Sequence, residues 1–101
     1  MSSIATPDGV RLRLCDRGSG PPIVLVHGWK ASHRIWDRTI AALEERFRIV
    51  AFDLRGMGES DKPRGRYDFE ELSDDLCFVL EALELERVTL VGWSMGCSVA
   101  L

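Results

Sequence analysis

Residues 88–101 read VTLVGWSMGCSVAL, and the folding of this stretch decides the architecture. Val88-Thr89-Leu90-Val91 is continuous rather than alternating in character, as suits a strand of a parallel sheet covered on both faces. Gly92-Trp93-Ser94-Met95-Gly96 follows, and then residues that a helix accommodates. A G-x-S-x-G pattern where a strand gives way to a helix marks a sharp turn that exposes the serine oxygen. Gly92 and Gly96 stand where a side chain would collide with neighbouring backbone in so tight a turn.

Two further apolar runs lie upstream, Ile23-Val24-Leu25-Val26 and Ile49-Val50-Ala51-Phe52. Helical stripes separate the three. Trp36, Ile40, Leu43 and Phe47 recur at spacings of four, three and four, and Leu72, Leu76, Val79, Leu80 and Leu83 mark a second amphipathic helix. Asp68 and Glu71 have capping-box spacing, which starts that helix near Phe69. Ahead of these elements, Val10-Arg11-Leu12-Arg13-Leu14 alternates apolar and basic between turn residues, the pattern of a half-exposed strand near the sheet's edge.

The order is thus strand, strand, helix, strand, helix, strand and the start of another helix, an α/β arrangement with a mostly parallel sheet flanked by helices. Right-handed crossovers place the Ile49 strand on one side of the Ile23 strand. With the helices on opposite faces, the Val88 strand falls on the other side. The carboxyl ends of the Ile23 and Val88 strands then meet where strand order reverses, and ligands bind at such reversals.

The chain has 101 residues, 46% apolar and 29% charged, with a formal net charge of −3. That balance fits one globular domain and gives no electrostatic footprint for nucleic acid or anionic lipid, so a small-molecule substrate is expected, with no nucleic-acid or membrane partner. The amino terminus MSSIATPDGV lacks a basic region followed by an apolar stretch, which predicts a cytoplasmic protein. Cys15, Cys77 and Cys97 have neither pairing parity nor metal-ligand spacing and are expected to be small buried packing residues.

The Ile23 strand ends in His27-Gly28-Trp29. The backbone N–H of Trp29 is expected to reach the same point in space as that of Met95, and the two would then form an oxyanion hole beside Ser94. The helix that begins after Ser94 adds a favourable dipole for developing negative charge. His27 is expected to organise its loop, His33 to face solvent near the first turn of a helix, and Asp53 to brace a loop. Gly56-Met57-Gly58 reads as a turn rather than a phosphate loop, because Asp61 replaces the third glycine of G-x-G-x-x-G.

Three motifs together, HGW at His27–Trp29, DLRGMGES at Asp53–Ser60 and GWSMG at Gly92–Gly96, resemble the amino-terminal portion of the α/β-hydrolase fold family, in its esterase and cofactor-free haloperoxidase-like branch. The resemblance covers essentially the whole chain. It implies that Ser94 is the nucleophile, that Trp29 and Met95 supply oxyanion donors through their backbones, and that no cofactor or metal takes part. Cys97 departs from the pattern, since many relatives have a second glycine there. Serine at position 94 argues against the aspartate-using relatives, the haloalkane dehalogenases and epoxide hydrolases.

In this fold the triad follows the order Ser, then Asp or Glu, then His. The chain is therefore expected to be an amino-terminal fragment of a single domain, inactive and poorly soluble alone, with the Val88 strand left as an unpaired edge. The expected function of the whole is a serine hydrolase acting on a small ester, lactone or related carbonyl compound through an acyl-enzyme at Ser94. The rivals are a cofactor-free haloperoxidase or perhydrolase, and a non-catalytic binding protein of the same fold.

Overall fold

A computed structural model describes residues 2–64 and 67–100. Its sheet comprises β1 (Ser2–Ala5), β2 (Arg11–Arg17), β3 (Pro22–Val26), β4 (Arg48–Phe52) and β5 (Thr89–Gly92), in the spatial order β1-β2-β4-β3-β5. A 3-10 turn (His33–Trp36) and the helices α1 (Asp37–Leu43), α2 (Phe69–Ala82) and α3 (Met95–Ala100) complete the described elements. β3 runs parallel to both β4 and β5, whereas β2 is antiparallel to β1 and β4. β3 is therefore flanked on opposite sides by β4 and β5, the reversal that right-handed crossovers require.

The parallel strands feed two apolar layers. Val24, Val26, Val50 and Phe52 pack with Leu12 and Leu14 against Leu72, Leu76 and Val79 of α2 and Val99 of α3. Leu25, Ile49 and Ala51 point the other way and meet Ile40 of α1. Residues of one strand thus serve both faces in turn, which is why the runs show no polar alternation. Fully burying such side chains is worth roughly 1.5–3 kcal/mol each. The Leu72, Leu76 and Val79 stripe therefore docks α2 more strongly than intrinsic helix propensity could.

The alternating strand, β2, is half-exposed and lies near the sheet's edge as expected, one place in from Ser2–Ala5, an edge strand with no mark in the sequence. β1 is short and largely exposed, and its pairing follows from the turn at Thr6–Val10, where the Thr6 N–H donates to Val10 O at 2.8 Å. The stripe from Trp36 to Phe47 is not one helix. Ser32 caps the 3-10 turn by accepting from the Arg34 N–H, α1 ends at Leu43, and Phe47 abuts β4 while still packing against the α1 layer.

At α2 only half of the capping box forms. Asp68 accepts from the Glu71 N–H at 2.8 Å, but the Glu71 carboxylate turns to Arg55. The cysteines are not core residues either. Cys77 and Cys97 are exposed and Cys15 is half-buried. Cys77 shares the outer face of α2 with Asp74 and Glu81, and Cys97 sits with Sγ 3.0 Å from Gly92 O instead of packing beneath the turn.

β5 has β3 as its one neighbour among the described residues and forms the second edge of the sheet. No described helix is long and apolar enough to cross a membrane.

Candidate active site

β5 leads through Trp93 and Ser94 directly into α3. Ser94 adopts φ 56°, the left-handed region, and is exposed. A non-glycine residue pays about 1–2 kcal/mol for that conformation. It persists only where the surroundings over-determine it. Here the Trp93 N–H donates to Val26 O at 3.1 Å, the Gly96 N–H to Trp93 O at 2.9 Å and the Cys97 N–H to Ser94 O at 3.1 Å. The turn is bonded both to itself and to the end of β3.

Close packing accounts for its glycines. A Cβ on Gly96 would lie 2.2 Å from Val26 O and 2.7 Å from His27 O, and one on Gly92 would lie 2.6 Å from Cys97 N. The first turn of α3 therefore rests directly on the backbone of the β3 end. Gly28 completes the junction: a Cβ there would lie 3.1 Å from Ser94 Cβ and 2.9 Å from Trp93 Cε3. The HGW and GWSMG segments, 65 residues apart at Gly28 and Trp93, meet in space.

Trp29 follows Gly28 in a turn closed by the Ala31 N–H donating to Gly28 O at 3.1 Å. Lys30 in that turn has φ 59°, a second strained residue next to the junction. Met95 is the first residue of α3. Among the described residues, neither the Trp29 nor the Met95 N–H donates to a protein acceptor. Both are carried by segments that converge on Ser94.

Neither histidine is available to Ser94. His27 is fully buried, with Nε2 accepting from the Leu54 N–H at 3.0 Å. The acceptor role leaves the proton on Nδ1, which donates to Gly28 O at 2.6 Å. Burial holds the His27 pKa below its ordinary value, against the carbonyl of Gly28 and the charge of Asp53, which act the other way. His27 does organise its loop, as its sequence position suggests.

His33 is not the solvent-facing residue expected. It is 1% exposed, and its N–H and Nδ1 both contact Asp53 Oδ1 at 2.7 Å. The partner lies twenty residues away on the β4 side, beyond any local sequence signal. Asp53 is also buried and accepts from the Glu59 N–H at 2.7 Å, while its carbonyl accepts from Ser60 Oγ. Burial alone would raise its pKa, but the N–H groups of Glu59 and His33 and the His33 ring outweigh it and lower the pKa. Asp53 is thus the loop brace expected, and it makes no contact that would serve as a triad acid for Ser94.

Sequence reasoning missed two features. Arg55, 4% exposed, spends all its N–H groups on carboxylates: Asp75 is gripped in bidentate fashion at 2.6 and 2.8 Å, Glu71 at 2.5 Å and Asp8 at 3.1 and 3.2 Å. That ion cluster joins the β1–β2 turn to α2 behind the DLRGMGES loop. Its first signal was only an arginine between apolar residues. The other is a groove of about 210 Å³ lined by Ile35, Trp36, Thr39 and Trp93 next to the serine turn. Among the described residues no His, Cys, Asp and Glu side chains group as metal ligands would.

The sequence pattern of the family described as alpha/beta hydrolase fold matches residues 21–101. The chain belongs to the α/β-hydrolase fold family. It is 40% identical, over 95% of its own length, to a non-heme chloroperoxidase of Kitasatospora aureofaciens, and 39% identical, over 92%, to a soluble epoxide hydrolase of a Corynebacterium species. An esterase of Exiguobacterium antarcticum superposes on 98% of the chain with a TM-score of 0.94 at 37% identity. The chain spans 35%, 32% and 37% of the length of these three proteins, respectively. The fold described above is thus that of a family whose relatives include proteins named as a chloroperoxidase, an epoxide hydrolase and an esterase.

Proposed function

We propose that Ser94 is the nucleophile of a serine hydrolase acting on a small ester, lactone or related carbonyl compound. The supporting observation is the junction itself: an exposed serine at φ 56°, pressed against Gly28 so that the loop bearing Trp29 lies beside it. In this reading Ser94 Oγ attacks the carbonyl carbon and gives its proton to a base. The carbonyl oxygen becomes an oxyanion that accepts from the Trp29 and Met95 N–H groups. Collapse then breaks the bond to the alkoxy oxygen, which takes the proton back from the base and leaves as the alcohol; an acyl ester remains on Ser94, and water hydrolyses it.

A serine hydroxyl is weak without a positioned base. His27 and His33 are both committed elsewhere. The base and its acid are accordingly sought in sequence beyond residue 101, in the family order of acid and then histidine. The 101-residue chain is on this reading catalytically silent by itself. No metal or cofactor is required by these steps.

Likeness to a non-heme chloroperoxidase favours one second reading, perhydrolysis of a carboxylic acid by peroxide at the same Ser94. Likeness to an epoxide hydrolase carries less weight, since serine rather than aspartate holds the nucleophile position. A purely binding role predicts no covalent chemistry at Ser94.

The test is hydrolysis of a short aryl ester by the full-length protein and its Ser94→Ala variant. Loss of the nucleophile costs on the order of a million-fold in comparable enzymes, so the variant should fall to background. Undiminished hydrolysis by Ser94→Ala would refute the assignment. Halide oxidation dependent on peroxide and acetate would favour the perhydrolase reading over the plain esterase.

A further inference from the structure

The turn that carries Trp29 is held at both ends by the two residues that directly follow β4, Asp53 and Leu54. Before the turn, His27 Nδ1 donates to Gly28 O while Nε2 accepts from the Leu54 N–H. After it, the His33 N–H and ring both engage Asp53 Oδ1. His27, His33 and Asp53 are each no more than 1% exposed. Two histidines six positions apart thus bond to consecutive residues, Asp53 and Leu54, with opposite polarity: one ring accepts a backbone N–H, the other meets a carboxylate.

Between those ends lies Lys30 at φ 59°. A turn strained in this way relaxes unless its ends are fixed. The Ala31 N–H to Gly28 O bond closes the turn, but it does not set its direction relative to Ser94. The two histidine contacts tie the turn to Asp53 and Leu54, which continue directly from a strand bonded along its length to β3.

We propose that His27 and the His33–Asp53 pair are positioning residues that aim the Trp29 N–H at the oxyanion formed at Ser94. The proposal rests on the hydrolase reading above. The clamp requires neutral His27, since a proton on Nε2 would face the Leu54 N–H. It also requires a donor on the His33 ring facing the carboxylate. An oxyanion donor matters only once charge develops, so loosening it lowers kcat and leaves ground-state binding almost untouched.

Two variants of the full-length protein test the clamp. His33→Phe keeps a buried ring and removes the donor, whereas His33→Asn retains an N–H donor near the position of Nδ1. Losing one oxyanion donor costs roughly 100- to 1,000-fold in kcat, so a loosened one should cost about 10- to 100-fold. His33→Phe should show that loss in kcat and in the rate of phosphonylation by a fluorophosphonate, with KM within about twofold, and His33→Asn should recover most of it. Equal kcat in wild type and His33→Phe would overturn the proposal, as would a loss carried entirely by KM.

A measurement on the wild-type protein stands apart from whether His33→Phe folds. The order parameter of the Trp29 amide should match that of β3, about 0.85 for rigid backbone; a value below about 0.6 would overturn the clamp. The two readings separate cleanly. Failure of the wild type to react at Ser94 refutes the hydrolase assignment, while the Trp29 order parameter still decides the clamp.

Discussion

Replacing Arg55 by Met tests the ion cluster that anchors the DLRGMGES loop. The Arg55 and Asp75 side chains are each 4% exposed and share a bidentate contact, whereas those of Glu71 and Asp8 are 38% and 58% exposed. Removing the guanidinium leaves Asp75 buried without its counter-charge. Breaking such a buried pair costs about 3–5 kcal/mol, a large share of the ~5–15 kcal/mol that holds a typical domain together. Glu71 and Asp8 can turn to water and add little to the loss. Replacing both partners, Arg55→Met with Asp75→Leu, removes the orphaned charge and should recover most of the stability, since apolar substitutes for a buried pair are often neutral. Urea unfolding of the full-length protein, with the m-value checked for constancy, reads both. A single variant within about 1 kcal/mol of wild type, below the range for a buried pair, would refute the reasoning. So would a double variant no more stable than the single.

Gly96→Ala should destabilise by about 1–3 kcal/mol, because overpacking against Val26 O outweighs the ~1 kcal/mol that alanine contributes to helix propensity; an unchanged unfolding midpoint would contradict the 2.2 Å approach. Lys30→Gly should stabilise by about 0.5–1 kcal/mol, relief of left-handed strain exceeding the entropy of glycine, and thermal unfolding checks it. The folded-state pKa of Asp53 is lowered, so its stabilisation is complete above the ordinary aspartate value of 3.8 and is lost as pH falls through the folded value. The stability gap between wild type and Asp53→Asn should therefore be constant near neutrality and narrow below about pH 4, as acid titration of the unfolding free energy would show.

What was legible in the sequence was what is local. β3 and β4 announced themselves as apolar runs, and the serine turn by its glycine spacing, because burial on both faces and close backbone approach leave direct marks on residue type; β5 carries a similar run although its residues are exposed or half-buried. β1 left none: four residues, SSIA, acquire strand structure only from pairing with β2. The contacts of His33 with Asp53 and of Arg55 with Asp75 each span twenty residues and arise only when the β4 end meets its neighbours. Glu71 shows how such tertiary demand overrides a local motif, since Arg55 takes the carboxylate that the capping box would have used. The exposure of Cys97 has the same origin: composition marks a cysteine as apolar, but only the packing of α3 on β3 decides which side it shows.

The most direct measurement is the structure of the full-length protein phosphonylated by a fluorophosphonate. Phosphorus should be bonded to Ser94 Oγ, with the phosphonyl oxygen about 2.7–3.1 Å from both the Trp29 and Met95 nitrogens. An adduct on another residue, or a phosphonyl oxygen turned away from those two amides, would contradict the proposed chemistry.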